Sequence, residues 1–469
     1  MLDAEFNAQI GQFIGRTFPG AQLIDVRQLT AGASQQTFRV SVRHPEGDEA
    51  NYALRRAQPG LERSFYGQVT PSVESELLEL ASLAHVPVPK VIESLRSSDG
   101  LGDGYLMEWL QGETMGQRIV KLPELESVRE NLAFECGQAL ARIHAIDVPN
   151  RLQEVLHSVS PEALVRETWE AYIALETPQP MIDFTAQWLL SNLPPESDSA
   201  LVHGDFRNGN LMVSEQGITA VLDWELCHLG DPMRDLGWLC VNSWRFGRRD
   251  LPVGGFGALD DLVAGYEAAS GSCVDRDALH FWEVFGSFWW SVTTLGMAQT
   301  WRTGETPSVE RPVIGRRSSE AQMDCVHLLI PGEIDTGRLQ REETDLPTPV
   351  ELLSSVRTHL KTSVLENLDG ADKFLLRVAM NSLAIAEREL QLTPMLEAQE
   401  LSRLISLLGE GELPELRWRL VQALRSGGLP DTPALHQHLR LSVAGRLAVD
   451  QPTYSALTAG LPYRSKVRR

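Results

Sequence analysis

Asp205 and Asn210 stand on one polar loop of the stretch LVHGDFRNGNLMVSEQGITAVLDWE, from Leu201 to Glu225. At the D-x-x-x-x-N spacing an Asp can orient an attacking hydroxyl and accept its proton, while the Asn carbonyl oxygen holds a metal ion. The stretch has a short apolar run, the loop, a second apolar run, a turn at Gly217 and a third apolar run ending in acid. That pattern predicts strand, loop, strand, turn, strand. The last run, Ile218 to Leu222, delivers Asp223 to the same end of the small sheet as the loop. A carboxylate and an amide oxygen meeting there form a hard-oxygen site suited to magnesium on a nucleotide phosphate. A single Asp beside a turn is ordinarily a cap; the joint pattern of His203, Asp205, Asn210 and Asp223 carries the reading.

HGDFRNGNLMV followed by VLDWELCHLGDPMRDLGWL resembles the aminoglycoside phosphotransferase and choline kinase superfamily, and most the branch also fused to acyl-CoA dehydrogenases. The resemblance implies an α+β, bilobal protein-kinase-like fold with an antiparallel-sheet N-lobe and a mainly helical C-lobe. It implies a small-molecule kinase that transfers the γ-phosphate of ATP, with GTP as the alternative nucleotide, to a hydroxyl with the help of Mg2+. Carried onto this chain, Asp205 is the base, and Asn210 and Asp223 hold the metal. His203, Asp231 and Asp235 support the loop, and Glu225 is a candidate to reach metal or substrate.

Other elements must position these groups. After an amphipathic helix, alternation through Leu23, Val26 and Leu29, then Phe38, Val40 and Val42, then Tyr52 and Leu54 predicts three antiparallel strands. The first turn, TAGASQQT, stands where a kinase covers the phosphates: Gly32 permits close approach, and Ser34 and Thr37 can donate to phosphate oxygens. The family usually has two adjacent glycines and an Asn here, whereas this chain has Ala31 and Gln35. Arg55 occupies the slot of the phosphate-binding Lys, a planar fork replacing a point charge. The helix predicted over Pro71 to Ala84 offers Glu74 and Glu76 as the carboxylate that pairs with Arg55, and the resemblance favours Glu76. Met107, Glu108 and Trp109 form the expected hinge, with backbone groups around Glu108 and Trp109 pairing the adenine edge. A helix through Leu132, Cys136, Leu140 and Ile143 supports the catalytic loop, with His144 as a structural contact. The aromatic band of Trp282, Phe285, Trp289 and Trp290 is expected in the core.

Length predicts more than one domain: an N-lobe at 1–110, a C-lobe at 111–330, a linker at 331–348, a helical bundle at 349–450 and a basic tail at 451–469. The formal net charge of -21 argues against a general nucleic-acid binder, which needs a basic face. No run has the apolar length of a membrane helix, and the first residues lack the pattern of a secretory signal. Five scattered cysteines without a C-x-x-C pair suit a reducing cytoplasm and buried free thiols. The expected partner is a small-molecule hydroxyl acceptor, such as a hydroxyacyl compound. Alternatives are an aminoglycoside or other antibiotic phosphotransferase and a kinase-fold nucleotide-binding protein, with the helical bundle serving self-association or partner contact.

Overall fold

The computed structural model describes residues 4–29, 35–57, 68–305, 310–334 and 349–457. Its helices in order are α1 (Ala4–Thr17), α2 (Pro71–Leu83), α3 (Gly116–Ile119), α4 (Glu126–His144), α5 (Asn150–Gln153), α6 (Pro161–Ile173), α7 (Pro180–Ser191), α8 (Met233–Leu239) and α9 (Leu259–Ser270). They continue with α10 (Arg276–Arg302), α11 (Glu310–Arg316), α12 (Ser318–Leu329), α13 (Pro349–His359), α14 (Gly370–Leu408), α15 (Leu413–Arg425) and α16 (Pro433–Asp450). The strands are β1 (Gln22–Gln28), β2 (Gln35–Arg43), β3 (Glu49–Ala57), β4 (Val91–Ser94), β5 (Gly104–Glu108), β6 (Ala200–Val202), β7 (Leu211–Ser214), β8 (Gly217–Val221) and β9 (His228–Gly230).

The chain divides into two compact units, the first made of 1–160, 195–240 and 244–282 and the second of 161–194, 241–243 and 283–469. In the first unit an antiparallel sheet runs β1-β2-β3-β5-β4. Side chains alternate across a strand, so Leu54 and Leu106 pack with Phe13 and Ile14 of α1, while Tyr105 packs with Leu77 and Ala81 of α2. Arg55, next to Leu54, therefore faces α2 rather than α1. The hairpin β7–β8 follows the strand-turn-strand pattern predicted at Gly217, whereas β6 pairs with β9, a strand the sequence pattern does not predict; β6 and β8 pack on α4. α4 and α9 approach closely at two glycines. A Cβ on Gly137 would stand 2.2 Å from the Leu262 carbonyl oxygen, and one on Gly265 2.0 Å from that of Phe134.

In the second unit the boundaries of packing are not those of composition. α12 and α7 pack on α16, and α7 also packs on α15. Asp183 of α7 accepts from Arg425 at 2.7 Å and from Trp169 at 2.9 Å. Asp324 of α12 accepts from the Tyr454 hydroxyl at 2.6 Å. The helices after the predicted linker thus share one unit with α6, α7, α11 and α12, because their apolar faces cover one another. Residues 335–348 of that linker, and the tail from 458, lie outside the described residues. The two helical series around Phe374 and Leu401 form one long helix, α14, with Pro394 inside it.

Of the free cysteines, Cys136, Cys227, Cys240 and Cys325 are buried, but Cys273 is exposed in the turn after α9, which corrects the expectation that all are buried. Trp282 and Phe285 are core residues, whereas Trp289 and Trp290 are half-buried. Among the described residues no helix is long and apolar enough to cross a membrane.

Candidate active site

The loop between β6 and β7 turns sharply at Gly204, at φ 81°, where a Cβ would stand 2.3 Å from the Leu226 carbonyl oxygen. Asp235 anchors the loop by accepting from the backbone N–H groups of His203 at 2.8 Å and Gly204 at 2.9 Å. His144 Nε2 lies 3.1 Å from the same carboxylate. Burial opposes a charge on Asp235, but the hydrogen bond from His144 and the two amides hold its pKa down to about 2. Asp231 accepts from Met233 N at 2.9 Å, at the start of α8, and from Trp282 Nε1 at 2.8 Å.

The His203 ring is fixed by its neighbours. Its Nδ1 accepts from Asp205 N at 3.2 Å, so Nε2 carries the proton and donates to the Leu222 carbonyl oxygen at 3.2 Å. Burial lowers its pKa and keeps the ring neutral, as that tautomer requires. Leu222 N in turn donates to the Asn210 carbonyl oxygen at 2.8 Å. These two bonds tie the residue before Asp223 to both ends of the Asp205 loop.

Asp205 accepts at Oδ1 from Arg207 Nε at 2.9 Å and from Trp238 Nε1 at 2.8 Å. At Oδ2 it accepts from Asn210 Nδ2 at 2.6 Å. With Nδ2 turned to Asp205, the Asn210 Oδ1 atom is left for another partner. Arg207 also stacks on Trp244 at 4.4 Å from the ring centroid. Arg207 and Trp238 were not singled out from the sequence, although both lie inside the two quoted motifs. Asp223 has φ 68°, the left-handed region that costs free energy for most side chains and recurs at functional sites.

Arg55 joins the sheet to this loop. Its Nε donates to Glu74 Oε2 at 3.0 Å, its Nη2 pairs with Asp223, and Glu225 lies 3.8 Å away. Glu74, not Glu76, is therefore the helix carboxylate on Arg55. The two positions are 200° apart in helical phase at 100° per residue, and Glu74 shares the buried face of Leu77, Leu78 and Ala81. Glu76 instead pairs with Arg151 toward solvent. The sequence does not separate the two, since Glu76 has Leu80 and Leu83 at the same helical spacings at which Glu74 has Leu78 and Ala81. Glu74 Oε1 also accepts from Trp224 N at 3.1 Å, holding the segment after Asp223. Burial works against charge on Asp223, and Arg55 overrides it to hold the carboxyl low. For the deeper Glu74, burial wins and raises the pKa.

Glu225 accepts from Gln35 Nε2 at 3.1 Å, which gives this departure from the family pattern a partner. Thr37 is half-buried on β2, directly opposite Arg55 in the register. Gly32, Ser34 and Ala31 lie outside the described residues. At the hinge, Met107 pairs with Ala53 on β3, and Trp109 is half-buried beyond the end of β5. Glu108 N already donates to the Lys90 carbonyl oxygen at 3.0 Å. Of the backbone groups around Glu108 and Trp109, this N–H is therefore already used by the chain before β4.

Among the described residues no group of three or more His, Cys, Asp or Glu could hold a metal ion by itself. The Asn210 amide oxygen and the Asp223 carboxylate are hard oxygens, donors of the kind that would suit magnesium.

A lobe holding Arg55 and Glu74, with Asp205 and Asn210 on one loop and Asp223 after the next hairpin, defines a phosphotransferase of kinase-like fold. Residues 25–272 match the Phosphotransferase enzyme family, and the chain belongs to it. Residues 366–454 match a second family, described only as a domain of unknown function. The chain is similar to acyl-CoA dehydrogenase family member 10 of Mus musculus, 36% identical over 205 residues, which are 40% of this chain and 19% of that protein. It is also similar to the Arabidopsis thaliana protein named Probable acyl-CoA dehydrogenase IBR3, 28% identical over 380 residues, 75% of this chain and 44% of that one. It thus spans less than half the length of either relative. A Ralstonia eutropha crystal structure assigned to the aminoglycoside phosphotransferases shares the fold, with TM-score 0.51 and 22% identity over 68% of this chain and 96% of that one.

Proposed function

We propose that the enzyme transfers the γ-phosphoryl group of ATP to the hydroxyl of a hydroxylated acyl compound, with Asp205 as general base. The observation that supports it most is the arrangement of Asp205: three donors orient its oxygens, and the one from Asn210 is that residue's Nδ2, so its Oδ1 is turned away from the carboxylate. In the reaction the acceptor oxygen bonds to the γ-phosphorus, the bond to the bridging oxygen breaks to leave ADP, and the hydroxyl proton passes to Asp205. Asn210 and Asp223 are the residues that would hold Mg2+, which supplies charge neutralisation for the phosphates. Arg55 has two parts in this scheme. Its Nε stays on Glu74, and its Nη2 leaves Asp223 for the phosphate oxygens, so that one carboxylate serves first the guanidinium and then the cation. His203, Asp231 and Asp235 keep the loop in shape and touch no reacting atom.

Two relatives carry acyl-CoA dehydrogenase names, which supports an acyl acceptor over an aminoglycoside. The test is transfer of labelled phosphate from Mg-ATP to a panel of hydroxyacyl-CoAs and aminoglycosides, with wild type and Asp223→Ala. Product is expected on a hydroxyacyl compound, and Asp223→Ala should lower turnover about a thousandfold, the scale of lost electrostatic stabilisation of the transferring group. A fully active Asp223→Ala enzyme defeats the mechanism. Nucleotide binding without transfer or hydrolysis favours a binding protein instead.

A further inference from the structure

The second unit contains a cavity of about 680 Å³, within the range of small-molecule sites. Its walls come from α10, α11, α12, α14, α15 and α16, and it shares no residue with the Asp205 site. Its charges are unevenly matched. Arg417 is satisfied by Glu400 at 2.7 Å and Glu397 at 3.6 Å, and Arg316 by Glu389 at 3.3 Å and by Asp450. Arg403 and Arg446 make no ion pair with any described residue, and both turn to Ser442. Arg403 Nη2 lies 3.4 Å from its hydroxyl, and Arg446 Nε 3.5 Å from its carbonyl oxygen. Arg403 Nε is buried with no hydrogen-bond partner.

Burying a guanidinium without a counter-charge costs free energy. Burial accordingly lowers the pKa of both arginines, despite the attraction of Glu400. Two guanidinium groups on the walls of one cavity, without an ion-pair partner among the described residues, can each donate to an oxyanion. The wall also carries apolar side chains, among them Leu295, Leu396, Leu441 and Val449. Gln322, buried on another wall, has an unpartnered Oε1 that can accept from a ligand hydroxyl or amide.

We propose that this cavity binds an organic anion, its phosphate or carboxylate head on Arg403 and Arg446 and its apolar body against the leucines. The matched region of unknown function, 366–454, contributes both arginines, so this is a ligand site for that domain. Isothermal titration calorimetry of the full chain tests it with hexyl phosphate, hexanoate, inorganic phosphate and hexylamine. The two amphiphilic anions should bind below about 1 mM, with inorganic phosphate weaker and hexylamine silent. Whichever of the two binds more tightly names the head group. Arg403→Gln and Arg446→Gln should each weaken binding about tenfold, as expected for one charge-assisted hydrogen bond. Arg446→Lys should lose less, and Asp223→Ala nothing. Circular dichroism checks that each variant is folded; should one glutamine variant unfold, the other and Arg446→Lys carry the test. The proposal is overturned by the absence of heat with both amphiphilic anions, by equal binding of hexylamine, or by unchanged affinity in the folded variants.

Discussion

Arg55 in the first unit and Arg446 in the second are both largely enclosed, yet their surroundings are opposite. Arg55 has Glu74, Asp223 and Glu225 around it, and although burial pulls its pKa down, those carboxylates raise it well above the usual value. Arg446 has no carboxylate at ion-pair distance among the described residues, and burial lowers its pKa. What differs is the supply of counter-charge. A cation with surplus carboxylates holds the site together. A cation without them is an incomplete pair whose partner must come from solution.

The comparison is broken most directly by removing each charge while keeping its bulk. Arg55→Met leaves Glu74 buried and uncompensated and should destabilise the chain by about 3–5 kcal/mol. Arg446→Met removes an unpaired charge and should raise stability by about 1 kcal/mol. Urea unfolding followed by tryptophan fluorescence reads both, and equal losses would erase the contrast. A second, slightly smaller effect sharpens it through pH. His438 is buried near Arg403 and Glu400 on α14, Arg417 on α15 and Arg446 on α16, and its pKa is pushed down to about 4, chiefly by burial. Its folded value lies below the ordinary 6.5. Its contribution is therefore fully present above pH 6.5 and is lost as pH falls toward about 4, amounting to about 3 kcal/mol. His438→Gln should flatten urea midpoints across that window; an unchanged slope would show the imidazole to be solvated. The smallest effects separate two neighbours on α2. Glu74→Gln should cost about 2 kcal/mol by weakening a charge-assisted hydrogen bond to a buried Arg, whereas Glu76→Gln, on an exposed pair, should stay within about 0.5 kcal/mol. Equal costs would mean that α2 is rotated from its described phase.

The order of chemistry along the chain was legible because local patterns encode it. His203, Asp205 and Asn210 share one loop, Gly217 marks the hairpin, and alternation around Leu54 places Arg55 on the face away from α1. Strand alternation and turn residues depend on near neighbours alone. Less was visible where a choice depended on a distant surface. Both Glu74 and Glu76 lie among apolar residues at helical spacing, and only the packed face of α2 selects between them. The bond from the Glu108 amide to Lys90 likewise depends on the chain before β4, which near neighbours do not encode. Cys273 shares its composition with the buried thiols and differs only in lying on a turn.

By itself the amino-acid sequence determined the family, the strands β1 to β3, the β7–β8 hairpin and the candidate base and metal ligands, since each is written in contiguous residues. Tertiary structure alone decided which carboxylate meets Arg55, how α7 and α12 join the C-terminal helices, and that Arg403 of α14 reaches Ser442 of α16. Those outcomes depend on groups far apart in the chain, whose burial and charge are set only when the helices that carry them pack together.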